Sequence, residues 1–281
     1  MPKVLISDKL STEAISIFES AGINVDFKPG LSAEELKQII YNYDGLAIRS
    51  ATKVTAELLA LARNLKVVGR AGIGVDNVDI SAATASGVLV MNTPFGNAIT
   101  TAEHAIAMML SLTRQIPRAH ISTISNKWEK SKFMGTEITS KKLGIIGCGN
   151  IGAIVANRAL GLKMRVIGYD PYLTNERAKE IGIEKVELDD LLIQSDFITL
   201  HTPLTDSTKN IISADALNKT KKGVQIINCA RGGLIDELAL FAVTLLHGHP
   251  HTNPLIVERE SPDAPPSDAL LLTSLLFGPG P

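Results

Sequence analysis

Two doubly wound α/β units, each a parallel sheet with helices on both faces, are what the 281-residue sequence predicts. Three features carry that expectation. Short apolar runs alternate with helical patterns over residues 1–96, and such alternation packs as a parallel sheet. A Gly-x-Gly-x-x-Gly at Gly147, Gly149 and Gly152 is framed by apolar runs at 143–146 and 165–169. The alternation then resumes and fades after residue 247, where a proline-rich tail begins.

Taken in order, residues 4–6, 25–27, 45–49, 65–68 and 88–91 read as strands from their short apolar runs. A helix is expected over 11–21, with Ile15, Ile17 and Phe18 on its apolar side and Gly22 ending it. Ser32-Ala-Glu-Glu35 is a capping box that opens a second helix running to Ile40. Residues 55–62 form a third. Residues 92–97, Asn-Thr-Pro-Phe-Gly-Asn, are turn-rich and mark the boundary of the first unit, 1–96. A long helix over 100–114 follows, with Ala102, Ala105, Ile106 and Met109 at helical spacing.

The second unit, 97–247, is built on the glycine motif. Gly147 lets the chain turn tightly out of its strand. Gly149 leaves the backbone open to a pyrophosphate, and Gly152 lets the following helix, 151–162, pack close. The helix N-terminus offers unpaired N–H groups to that pyrophosphate. Asp170, ending the next strand, is placed to accept hydrogen bonds from a ribose. A bare Gly-rich turn is the alternative, and the strand, helix, second strand and acid in register argue against it. Helices at 175–181, 188–194 and 236–246, a capped turn at 213–217 and strands at 197–201 and 224–228 complete the unit. The tail, 248–281, holds seven of the thirteen prolines and no lysine.

Composition narrows the function classes. The formal net charge is −1, so nothing global points to nucleic acid or an anionic membrane. No apolar run reaches membrane-spanning length, and the N-terminus lacks a signal-peptide layout. Two cysteines, Cys148 and Cys229, are too few for a disulfide framework, so a cytoplasmic setting is expected, with both acting as small buried hydrophobes; a reactive thiol at Cys148, inside the glycine motif, is the alternative. No metal site is expected; His247, His249 and His251 read as a solvated turn.

Five ordered motifs go further: Gly69-Arg-Ala-Gly-Ile-Gly-Val-Asp-Asn77, the 92–97 connector, the glycine motif, His201-Thr-Pro203 and Asn228-Cys-Ala-Arg-Gly-Gly-Leu-Ile-Asp236. Together the chain resembles the D-isomer-specific 2-hydroxyacid dehydrogenases, from residue 3 to about residue 240. The resemblance implies a flavodoxin-like substrate domain and a Rossmann-like NAD-binding domain facing each other across a cleft. It implies NAD-linked oxidation of a small 2-hydroxy acid, with phosphorylated 3-phosphoglycerate, at the entry to serine synthesis, the expected substrate. It also implies a homodimer formed through the dinucleotide unit.

Site residues follow from the same resemblance. Asn150 and Ile151 would add backbone contacts to the pyrophosphate beside Gly147, Gly149 and Gly152. Asp170 would hold the ribose, and Thr202, Pro203, Cys229 and Ala230 would line the nicotinamide side. Arg231 would bind the substrate carboxylate and reacting oxygen, a planar group that a guanidinium fork meets bidentately. A surface ion pair is the plainer alternative for Arg231. Arg49, Ser50, Ala71, Gly72 and Asn97 would hold the rest of the substrate, with Arg49 suited to phosphate or, equally, to a structural role. Asp170 and the absence of a neighbouring arginine favour NAD over NADP.

The family's histidine and glutamate, which take and steer the hydroxyl proton, follow the arginine motif. Residues 257–262, Val-Glu-Arg-Glu-Ser-Pro, echo the glutamate stretch and put Glu260 in its place. No matching histidine turn follows; the last residues read Leu-Phe-Gly-Pro-Gly-Pro. A non-catalytic NAD-binding relative, acting as a binding or sensing module, is therefore the competing expectation.

Overall fold

The structure is a computed structural model that describes residues 1–246. The chain separates into a unit spanning Met1–Asn97 and a second from Ala98 onward.

In the first unit the apolar runs become β1 (Lys3–Ile6), β2 (Asn24–Phe27), β3 (Gly45–Ile48), β4 (Val67–Arg70) and β5 (Leu89–Asn92). All pair in parallel, in the order β2-β1-β3-β4-β5; Val4, for example, stands beside both Val25 and Gly45. Helices α1 (Thr12–Ser20), α2 (Ala33–Ile39), α3 (Ala56–Leu61) and α4 (Ile80–Ala85) connect them. Alternate strand residues point to opposite faces. Leu5, Leu46, Ile48 and Val68 therefore join Leu36, Leu58 and Leu59 in one core, while Val4, Ile6 and Ala47 pack with Ile15 and Phe18 in another. Each fully buried Leu or Ile contributes about 1.5–3 kcal/mol relative to exposure.

The Ser32–Glu35 capping box is present, each partner bonding the other's backbone N–H. One expectation fails on α1. Ile17 is 62% exposed, because two residues after Ile15 the helix has turned the side chain away from the sheet. The strand expected at 65–68 begins and ends two residues later, and α4 was not foreseen.

The second unit opens with α5 (Ala98–Thr113), which packs its Ala102, Ala105 and Met109 face into the core. Gln115, at φ 53°, breaks that helix, and Pro117 sits in the first turn of α6 (Ile116–Ile124), also unforeseen. Then come β6 (Lys142–Ile146), α7 (Asn150–Gly161), β7 (Arg165–Tyr169), α8 (Asn175–Ile181) and β8 (Glu184–Lys185). They are followed by α9 (Leu188–Gln194), β9 (Phe197–Leu200), α10 (Ala214–Lys219), β10 (Gln225–Asn228) and α11 (Glu237–Leu246). The parallel order is β10-β9-β6-β7-β8, so the sheet reverses direction of growth between β6 and β9. Leu143, Ile145, Val155, Ala156 and Phe197 fill one face of this sheet; Ile146, Leu191, Ile198 and Ile226 fill the other.

Candidate active site

In a parallel sheet every strand ends at the same edge, and ligands bind there, at the point where strand order reverses. In the second unit that edge carries, in a row, Cys229 after β10, His201 after β9, Gly147 after β6 and Asp170 after β7.

Gly147 has φ 93°, and a Cβ there would stand 2.7 Å from the His201 carbonyl group. The turn thus needs glycine for both its conformation and its fit. A Cβ on Gly152 would overlap the Gly147 carbonyl oxygen, so α7 comes this close to the loop only because that side chain is missing. Gly149, the residue before α7, faces open space, and no side chain caps the helix. The first-turn N–H groups, including those of Asn150 and Ile151, therefore point into a cradle that suits an anion.

Asp170 is pinned beside that cradle. Its carboxylate accepts from the Cys148 N–H at 2.9 Å and from the Tyr172 N–H at 2.8 Å. Both oxygens keep further acceptor capacity for hydroxyl groups. The residues present thus fit a dinucleotide: open donors for the pyrophosphate and a fixed carboxylate one strand over.

Cys148 is buried, and burial with the Asp170 charge pushes its thiol up to about 12. It stays protonated and packs as a small hydrophobe. Cys229 is buried as well, and both cysteines are free of disulfides. His201 is partly exposed as a residue, but its Nδ1 is sealed from solvent without a partner. Its Nε2 lies 3.0 Å from the Thr199 hydroxyl. Burial lowers its pKa to about 4, so the ring is neutral near pH 7.

The Arg231 loop is built by Asn228, which is fully buried. Its side chain donates to the Arg231 carbonyl at 2.8 Å and accepts from the Ala230 N–H at 3.1 Å. Arg231 itself is half-buried, and one guanidinium N–H meets the Ala230 carbonyl at 2.8 Å. Thr202 is half-buried and Pro203 exposed on the neighbouring strand end.

In the first unit a cavity of about 310 Å³ opens at the corresponding strand ends. Arg49, Ala71, Gly72 and Asn97 line it, so four of the five residues expected to hold the substrate beyond its carboxylate come together. Ser50 is exposed and outside the lining. Lys9, Ser11 and Thr93 line the cavity too, and sequence reasoning missed them. Lys9 lies three residues past the first strand's end, which is the signal that could have found it. A Cβ on Gly72 would press on the Arg70 guanidinium at 2.8 Å, so this loop closes over a buried arginine. The Asn97 side-chain oxygen is buried without a partner. Glu260 and the three histidines at 247, 249 and 251 lie outside the described residues. Among the described residues no group of His, Cys, Asp and Glu could hold a metal ion, and no helix is long and apolar enough to cross a membrane.

Residues 106–249 match the family described as D-isomer specific 2-hydroxyacid dehydrogenase, NAD binding domain. A D-3-phosphoglycerate dehydrogenase from Archaeoglobus fulgidus is 44% identical over 277 residues, covering 99% of this chain and 52% of that protein. One from Bacillus subtilis is 48% identical over 250 residues, 89% of this chain and 47% of the relative. The chain thus spans about half the length of the curated relatives it matches. A solved D-lactate dehydrogenase from Aquifex aeolicus, complexed with NAD and lactic acid, superposes with a TM-score of 0.81 at 26% identity, covering 99% of this chain and 82% of that one. The motifs, the strand order with its glycine cradle, and these matches converge: the chain belongs to the D-isomer-specific 2-hydroxyacid dehydrogenase family, and its second unit carries that family's NAD-binding domain.

Proposed function

We propose that the chain interconverts a phosphorylated D-2-hydroxy acid and its 2-keto acid with NAD, the substrate being 3-phosphoglycerate as in the names of its relatives. One observation carries this reading. The carboxyl edge of the second sheet collects the glycine cradle, Asp170 and the Arg231 loop in one row, on a fold shared with a lactate dehydrogenase.

When bound, NAD supplies the hydride chemistry at the hydroxyl-bearing carbon. The protein's own residues place and orient. The α7 N-terminus with Gly147, Gly149 and Gly152 holds the pyrophosphate, and Asp170 the adenosine ribose. Thr202, Pro203, Cys229 and Ala230 flank the nicotinamide. Arg231 grips the substrate carboxylate with its fork and draws charge from the reacting oxygen. In the first unit, Arg49 takes the phosphate at the cavity it shares with Lys9. NAD is preferred over NADP, because the Asp170 carboxylate repels a 2′-phosphate. No step is assigned to Glu260.

The same reading places the protein in the cytoplasm, at the entry to serine synthesis, consistent with its two buried free cysteines. It also makes the protein a homodimer through the dinucleotide unit. Ile116, Ile124, Trp128 and Met134 on and beside α6 are 53%, 65%, 85% and 79% exposed, an apolar surface that suits a second copy.

The Arg231→Lys variant keeps the charge and loses the fork. Its kcat/KM for 2-keto acid reduction should fall on the order of a hundredfold. Undiminished activity would contradict the assignment.

A further inference from the structure

Asp8 lies two residues past β1, beside the cavity-lining Lys9, and is a carboxylate only 5% exposed. Its Oδ2 accepts from the Arg49 N–H at 2.6 Å and the Thr52 N–H at 3.2 Å, and its Oδ1 accepts from the Thr52 hydroxyl at 2.6 Å. The Ser7 hydroxyl lies 2.8 Å from the same Thr52 oxygen. The opposite side of the turn is held as firmly. The Arg49 carbonyl accepts from the Asn77 side chain at 2.7 Å, and that amide also donates to the Thr52 carbonyl at 2.7 Å. The 49–52 turn is thus clamped by the Arg49 and Thr52 N–H groups to Asp8 and by the carbonyls of the same two residues to Asn77. By contrast, the Arg49 guanidinium makes no ion pair among the described residues, and its side chain faces the cavity.

We propose that Asp8 is a positioning residue for substrate: it spends its charge on the backbone of the 49–52 turn and so aims the Arg49 guanidinium at the substrate's phosphate. This rests on the reading of the cavity as the anion subsite. The sign of its effect separates positioning from plain electrostatics. A carboxylate beside an anion site repels the anion, so as a mere charge its removal would tighten binding. As a positioning group its removal weakens binding, because the arginine loses its fixed approach.

The test uses the full chain with NADH present, so that 3-phosphoglycerate binds without turnover. Calorimetry gives its Kd and that of D-glycerate, the same hydroxy acid without phosphate. Asp8→Ala is expected to weaken 3-phosphoglycerate by on the order of tenfold, to leave D-glycerate unchanged, and to add nothing in the Arg49→Ala background. Asp8→Asn should retain most of the affinity, since its amide oxygen can face the two N–H groups while its NH₂ turns to the Thr52 oxygen. Where Asp8→Ala fails to fold, Thr52→Val removes one donor more gently and should show a smaller loss of the same pattern. Tighter or unchanged 3-phosphoglycerate binding in these variants, with Arg49→Ala still weakening it, overturns the role of Asp8. An equal loss for both ligands, or a loss that persists without Arg49, does the same. If Arg49→Ala leaves 3-phosphoglycerate binding intact, the anion-subsite reading fails and this inference falls with it.

Discussion

Asp170 holds one backbone N–H from the glycine loop, that of Cys148, and one from its own turn, that of Tyr172, so its orientation is set before any ligand arrives. Charge-assisted hydrogen bonds of this kind contribute about 1.5–3 kcal/mol each. Asp170→Ala should therefore weaken NAD by roughly tenfold or more and NADP by less, as titrated by cofactor fluorescence. An equal loss of both would refute the assignment. His201 gives the molecule a pH signature. Its folded pKa is about 4 against an ordinary 6.5, so between those values the unfolded chain takes a proton that the folded chain refuses. Stability supplied by the neutral ring is complete above pH 6.5 and is lost as pH falls toward 4, with a slope of at most about 1.4 kcal/mol per pH unit. Denaturant melts of His201→Asn should be flatter than wild type across that window; parallel curves would remove His201 as the cause. Gly147 and Asp170 were readable in the sequence because their motif is local. Asp8 was not, because its partners are 41 and 44 residues away in the chain.

At the scale of elements, α6 is the clearest exposed feature of the second unit. With the proposed homodimer formed through this surface, Ile124→Glu on α6 should shift it from dimer to monomer in analytical ultracentrifugation while NAD affinity holds. A dimer unchanged at micromolar concentration would exclude this surface as the interface. The same element shows where sequence patterns stop. Residues 165–169, 175–181 and 188–194 fall where their β-branched runs and helical spacing put them, as β7, α8 and α9. The α6 helix escaped because its Ile116-Pro-Arg start reads as a break, whereas Pro117 in a first helical turn begins one. Strand β8 is two polar residues, Glu184 and Lys185, made into a strand only by pairing with Ile167 and Gly168. Ile17 reads as core by composition, yet the helix phase turns it to solvent.

For the whole molecule, each unit presents chemistry at the carboxyl edge of its own sheet. The first has a cavity with Arg49 and Lys9, the second a glycine cradle with Asp170 and the Arg231 loop. The fold and the cradle could be read from the sequence because strand–helix alternation and glycine spacing are periodic. The cavity's Lys9, Ser11 and Thr93 went unassigned, although Lys9 lies just past β1 and Thr93 within the 92–97 motif, since only the strand order shows that they share one cavity. The central claim is that this chain couples NAD to a phosphorylated 2-hydroxy acid. The direct measurement is the rate of NADH oxidation by the 281-residue chain with 3-phosphohydroxypyruvate, followed by absorbance against a panel of unphosphorylated 2-keto acids. The account predicts saturable oxidation, fastest with the phosphorylated keto acid. Binding of NADH with no oxidation in the presence of any 2-keto acid would contradict it.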